Sequence, residues 1–341
     1  MKAAILLAPQ HIELRDIAQA EPAVGELLVR VRVALTDGTD LKAYRRGHPK
    51  MPMPTRFGHE FSGDVIATGA GVHDFAPGDA IACVHTAPCG ECYWCTQAQE
   101  ELCSRLMRTM LLGAYAETII VPAHIVARNL FHKPENLAYE AAAFLEPLAC
   151  VTHAWDALRI QPESCVAIVG NGGFGLLHAM VAKALGVREP LIIGRNQERL
   201  DLARTLHLGR VVDTKTEDPL TVIRECSEGR GADIVIECTG AREIWELAPS
   251  LARRGGTVVL FGGLPTGEVV AFDAQRLHYD EITLRSPFHL TPRSVRRAFD
   301  FLTSHQIDPR PLISARRPLH ELGPAFADLL SGKGVKVAIL P

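Results

Sequence analysis

Cys89, Cys92, Cys95 and Cys103 stand as C-x2-C-x2-C-x7-C in the segment CGECYWCTQAQEELC. Four thiolates gathered in so short a stretch can close a tetrahedral Zn2+ site without help from distant parts of the chain. A disulfide knot would need an oxidising compartment, and the apolar run at residues 1–8 is too short for a signal peptide, with polar residues directly after it. A structural zinc is therefore expected. The other five cysteines, Cys83, Cys150, Cys165, Cys226 and Cys238, stand singly among apolar residues and are read as small hydrophobes without chemistry.

A second motif, VAIVGNGGFGLLHAMVAKALG, sets Gly170, Gly172 and Gly175 in G-x-G-x-x-G, with Gly173 and Phe174 inside it. It follows an apolar run and opens a helical pattern, which turns a weak match into a strong one. Such glycines let the backbone approach a pyrophosphate that rests on the free N–H groups of the helix. About 20 residues on, an acid would accept a ribose 2′-hydroxyl. Here the next strand runs into Gly194, Arg195 and Asn196, with Arg199 one helical turn later, and no acid ends the strand. A small residue followed by arginine leaves room for a 2′-phosphate and supplies its partner, so NADP(H) is expected over NAD(H).

The elements that must hold these motifs divide the 341 residues into two textures. Alternating, β-branched stretches at 2–7, 26–34, 61–68, 80–85 and 116–121, with Gly and Pro between them, predict a β-rich first domain. From Glu163 onward, short apolar runs at 165–169, 191–193, 234–237 and 257–261 alternate with helical patterns such as 176–185 and 197–206. That alternation predicts βαβ units on a parallel sheet, the doubly wound α/β class. A formal charge of -3 without a basic run speaks against nucleic acid as a partner. No apolar stretch is long enough for a membrane span, and reduced cysteines predict a cytoplasmic protein.

Three further segments complete a dispersed set: Asp37-Gly38-Thr39-Asp40, Gly58-His59-Glu60 and Glu146-Pro147. With the cysteine segment and the nucleotide fingerprint they follow one another in the motif order of the zinc-dependent medium-chain dehydrogenases, and the whole chain resembles that family, nearest its sugar and polyol branch. The resemblance implies a GroES-like β-rich catalytic domain from residues 1–150 and 285–341, with a Rossmann domain from residues 151–284 inserted. It also implies a homodimer or homotetramer.

Position by position, the resemblance places Asp37 where the family usually has a cysteine ligand to a catalytic zinc, His59 at the histidine ligand and Glu146 at the third. Glu60 follows the histidine, as in much of the family. Thr39 takes the place of the hydroxyl that relays the substrate proton, and Asp40 that of the acid that orients the imidazole. The set is expected in the cleft between the domains. Aspartate is itself a zinc ligand, so Asp37, His59, Glu146 and one open position still suit a catalytic ion, though a harder one than a thiolate would select. Such an ion polarises a substrate hydroxyl while hydride passes to C4 of the nicotinamide.

Glu60 and His289, the latter in a segment that returns to the catalytic domain in relatives, suggest a polar pocket and hence a sugar or polyol substrate. Two rival readings keep the fold: a zinc-free NADPH-dependent quinone or enoyl reductase, and a non-catalytic NADP(H)-binding sensor. Retention of Thr39, Asp40 and His59 argues against the sensor.

Overall fold

A computed structural model describes residues 1–48 and 51–341. The chain divides into two compact units, Met1–Cys150 with Leu290–Pro341, and Val151–His289.

The first unit is built on strand Leu27–Leu35, whose sequence LLVRVRVAL sends Arg30 and Arg32 outward and its aliphatic residues inward. This strand pairs antiparallel with Glu60–Thr68, with Thr118–Val121 and with Lys336–Leu340, the last of which also runs parallel to Ile313–Pro318. Ala80–Cys83 and Leu130–His132 extend the sheet beyond Glu60–Thr68. Beneath it Phe57, Tyr115 and Phe326 are fully buried, with the Phe57 ring 4.9 Å edge-on to Tyr115 and 5.8 Å from Phe326. Each such side chain contributes roughly 1.5–3 kcal/mol by leaving water.

The second unit carries a parallel sheet. Among the described residues its strand order is Arg210–Asp213, Leu191–Gly194, Val166–Val169, Ala232–Glu237, Ala252–Leu260 and Thr283–Arg285. Helices Gly173–Ala184, Gln197–Thr205 and Arg242–Leu251 connect strands of the sheet, as right-handed crossovers require. The short apolar runs of the sequence are strands buried on both faces. This is the α/β architecture expected from the alternation, and the two units are the GroES-like and Rossmann domains that the resemblance implies.

Boundaries move where tertiary partners intervene. The stretch at 80–85 leaves the sheet after Cys83, because the His85 carbonyl instead accepts the Leu111 amide at 2.7 Å. The stretch at 116–121 begins its strand at Thr118, while Ala116 bridges to Ala3. Cys226 is exposed rather than packed among apolar neighbours. Among the described residues no helix is long and apolar enough to cross a membrane.

Candidate active site and metal centres

Asp37 stands between strand Leu27–Leu35 and helix Gly38–Arg46. Its Oδ2 caps that helix by accepting the Thr39 amide at 2.6 Å, as the spare N–H groups of a first turn demand. Asp40 lies in the same first turn, fully buried, where the helix dipole favours an anion. Its Oδ2 accepts the Tyr115 hydroxyl at 2.7 Å, and its Oδ1 faces His59 Nδ1 at 3.3 Å. His59 is delivered by Gly58, which adopts φ 86°; a Cβ there would meet the Tyr115 ring at 2.7 Å, so only glycine lets the chain turn over that ring. The other imidazole nitrogen, His59 Nε2, lies 3.8 Å from Asp37 Oδ2. Glu60 opens the next strand and Glu146 sits in the first turn of helix Leu145–Trp155.

These expected residues come together within the first unit. One group of ligand atoms within 4.8 Å of one another comprises Asp37, His59 and Glu60; a second comprises His59, His85 and Glu146. Thr39 is half-buried at the helix start. Two members escaped the sequence reading. His85, 6% exposed, has its Nδ1 3.3 Å from Glu146 Oε1. Lys336, from the strand Lys336–Leu340, places its ammonium 2.7 and 2.5 Å from the two oxygens of Glu60. The signals for them were slight: a histidine just beyond an apolar strand and four residues before Cys89, and a lysine opening the apolar run KVAIL.

The electrostatics of this pocket are lopsided. Among the described residues, four buried carboxylates, Asp37, Asp40, Glu60 and Glu146, share it with one buried ammonium, Lys336. Burial works against a charged His59, but the Asp40, Glu146 and Asp37 carboxylates outweigh it and hold the imidazole well above its usual value. Burial pushes the Glu60 carboxyl up. It pulls the Lys336 ammonium down, and the carboxylates of Glu60 and Asp37 more than offset it. Burial keeps His85 below its usual value, hence neutral and fit to donate a lone pair. Excess buried negative charge is costly unless a cation balances it. Asp37 Oδ1 is buried without a hydrogen-bond partner, so the donor set fits a divalent ion.

The cysteine segment forms a second centre. The four sulfurs lie within 4.8 Å of one another, with Cys92 Sγ 3.6 Å and Cys89 Sγ 4.0 Å from Cys95 Sγ. Tetrahedral zinc with sulfur at 2.3 Å separates its ligands by about 3.8 Å, whereas a disulfide would need about 2 Å. Amide groups of Cys95 and Ser104 draw the Cys92 thiol down to about 5, and burial pushes Cys95 up to about 12. The donors fit a closed zinc site of four thiolates.

In the second unit Gly170, with φ 114°, ends the strand Val166–Val169, and Gly172 caps helix Gly173–Ala184. A Cβ on Gly175 would lie 1.8 Å from the Gly170 carbonyl oxygen, so this glycine lets helix and turn touch. Phe174 packs its ring 5.1 Å from Phe261. Asn171 Nδ2 donates to the Asn196 carbonyl at 2.8 Å, tying the glycine turn to the end of strand Leu191–Gly194. Asn196 caps the following helix by accepting the Arg199 amide at 3.2 Å. The Arg199 guanidinium reaches within 3.9 Å of where a Gly172 Cβ would stand, and Arg195 is exposed. His289 is the last residue of this unit, half-buried with φ 62°.

Residues 23–132 match the alcohol dehydrogenase GroES-like domain, and residues 173–304 match the zinc-binding dehydrogenase domain. A zinc-binding dehydrogenase from Sinorhizobium meliloti, solved bound to NADP, superposes with a TM-score of 0.90 at 32% identity over 100% of this chain and 99% of that one. The chain belongs to the zinc-dependent medium-chain dehydrogenases. As a dehydrogenase it is an alcohol-dehydrogenase-type oxidoreductase of zinc and a nicotinamide cofactor. A sorbitol dehydrogenase of Halalkalibacterium halodurans is 29% identical over 94% of both chains, which sets this dehydrogenase on the sugar and polyol side of the family. An L-threonine 3-dehydrogenase of Bacillus subtilis is also 29% identical, over 96% of this chain and 94% of its own.

Proposed function

We propose that the chain oxidises a secondary hydroxyl of a sugar or polyol with NADP+, and reduces the matching carbonyl with NADPH. The carrying observation is the buried group of Asp37, His59, Glu60 and Glu146, whose carboxylates outnumber the cations around them. The unit of Met1–Cys150 with Leu290–Pro341 is read as the catalytic domain and Val151–His289 as the dinucleotide-binding domain. Asp37, His59 and Glu146 would hold the catalytic ion, and Cys89, Cys92, Cys95 and Cys103 the structural one.

When bound, a divalent ion supplies Lewis-acid polarisation of the substrate hydroxyl. The chain supplies the rest. Asp40 Oδ1 faces His59 Nδ1 at 3.3 Å; this carboxylate would hold the proton on Nδ1 and leave Nε2, on the side of Asp37, free to act as a ligand. The Thr39 hydroxyl, half-buried beside Asp37, would accept the substrate proton, and a nicotinamide cofactor, when bound, would supply the hydride acceptor. Glu60, neutralised by Lys336, gives the pocket a polar wall suited to a hydroxyl-rich substrate. Arg199, beside the glycine turn, and Arg195 would hold the 2′-phosphate of NADP.

The test is zinc per chain, measured on wild type and His59→Ala, together with turnover on a polyol panel. Two equivalents falling to one, with turnover abolished and cofactor binding kept, is the expected result. One equivalent in both proteins after zinc add-back would move the chain to the zinc-free reductases.

A further inference from the structure

We propose that His85 is a ligand to the catalytic ion, so that two imidazoles together with carboxylates hold the metal in this chain. The inference rests on the reading of Asp37, His59 and Glu146 as a metal site.

His85 is placed rather than merely nearby. The chain leaves strand Ala80–Cys83 and is pinned on both sides of the ring: the His85 carbonyl accepts the Leu111 amide at 2.7 Å, and the Thr86 carbonyl accepts Asn129 Nδ2 at 2.8 Å. The His85 ring centroid stands 4.6 Å from that of His59 with the planes inclined at 58°, a tilt that lets both rings aim nitrogens at a common point. A nitrogen of each ring and an oxygen of Glu146 lie within 4.8 Å of one another. Nitrogen and oxygen ligands at 2.0–2.1 Å from a tetrahedral zinc are about 3.4 Å apart, and His85 Nδ1 is already 3.3 Å from Glu146 Oε1.

The need for this ligand follows from residue 37. Residue 37 is an aspartate where the family resemblance leads one to expect a thiolate; its Oδ2 accepts the Thr39 amide at 2.6 Å, and its Oδ1 is buried without a hydrogen-bond partner. A second imidazole restores the lost donor strength. A set built wholly from nitrogen and oxygen also loses the soft donor that favours zinc, and accommodates cobalt, nickel or manganese more readily.

The competing role for His85 is that of a plain hydrogen-bonding partner of Glu146. The two are separated by loading the full-length protein with zinc in the cysteine lobe and cobalt(II) in the second site, then counting ligands at the cobalt absorption edge. Two imidazoles and no sulfur are expected in wild type, one imidazole in His85→Gln, and one cobalt–sulfur vector in His85→Cys. Cobalt affinity in His85→Gln should fall beyond the roughly 10- to 100-fold that loss of a supporting hydrogen bond gives. Circular dichroism and NADP binding report that both variants are folded.

A wild-type site with one imidazole, or a His85→Cys protein with no sulfur on cobalt, overturns the inference and leaves the metal reading intact. A wild-type protein that takes zinc in the cysteine lobe but no cobalt elsewhere overturns both.

Discussion

Lys336 Nζ bridges both oxygens of Glu60, 276 residues earlier, at 2.7 and 2.5 Å and donates a third bond to the Thr36 carbonyl at 2.9 Å. Glu60 is wholly buried and Lys336 nearly so. Removing one partner of such a pair strands a charge, at a cost of about 3–5 kcal/mol. Lys336→Met should therefore lower the denaturant midpoint sharply, and adding Glu60→Gln should restore much of the loss. A double variant as unstable as the sum of the singles would count against the pair.

His178, in the second unit, gives a pH prediction. It is fully buried, accepts a hydrogen bond from Trp155 Nε1 at 2.9 Å on Nδ1, and burial drives it from 6.5 to about 3. Between those values the unfolded chain binds a proton that the folded chain refuses. Stability is unaffected above about pH 6.5 and falls as pH drops toward 3, by about 1.4 kcal/mol per pH unit. His178→Asn keeps an acceptor for Trp155 and should flatten the acid limb of a stability-against-pH curve by one proton.

The cysteine centre predicts a loss of one metal ion that spares the other. Cys95→Ser should bind one zinc fewer per chain, unfold at lower temperature and still bind NADP, read by elemental analysis and calorimetry. Unchanged zinc would remove the four-cysteine assignment.

The proposed preference for NADP(H) rests on Arg195 and Arg199. A charge-assisted hydrogen bond is worth about 1.5–3 kcal/mol, so Arg195→Asp and Arg199→Ala should each raise KM for NADP+ by roughly ten- to hundredfold. KM for NAD+ should change little or improve. A wild-type preference for NAD+ in kcat/KM would refute the reading.

Gly58→Ala should cost several kcal/mol, because the new methyl meets the Tyr115 ring at 2.7 Å and the backbone sits at φ 86°. Since Tyr115 also holds Asp40, zinc affinity at the His59 site should fall along with the unfolding midpoint.

What the chain announces in its letters is what short-range geometry decides. The cysteine spacing and the glycine turn each complete a binding shape within a few residues, and the strand and helix patterns of the parallel sheet follow from periodicity. His85 and Lys336 were silent because their neighbours are distant: His85 faces His59 and Glu146, and Lys336 meets Glu60 only once the last described strand pairs with Leu27–Leu35. The early end of the stretch at 80–85 was equally hidden, since the Leu111 amide that draws off His85 comes from a loop without periodic pattern.

The interruption of the first unit by Val151–His289 has a temporal side. Synthesis runs at about 5–20 residues per second, so Lys336 follows Glu60, 276 residues earlier, by roughly 14 to 55 s. By the time Lys336 is made, the nascent chain already carries Asp37, Asp40, Glu60 and Glu146 and the whole of Val151–His289. The Glu60–Lys336 pair therefore forms only after the interrupting unit has been translated, so the first unit completes its buried charge balance later than the unit inserted into it.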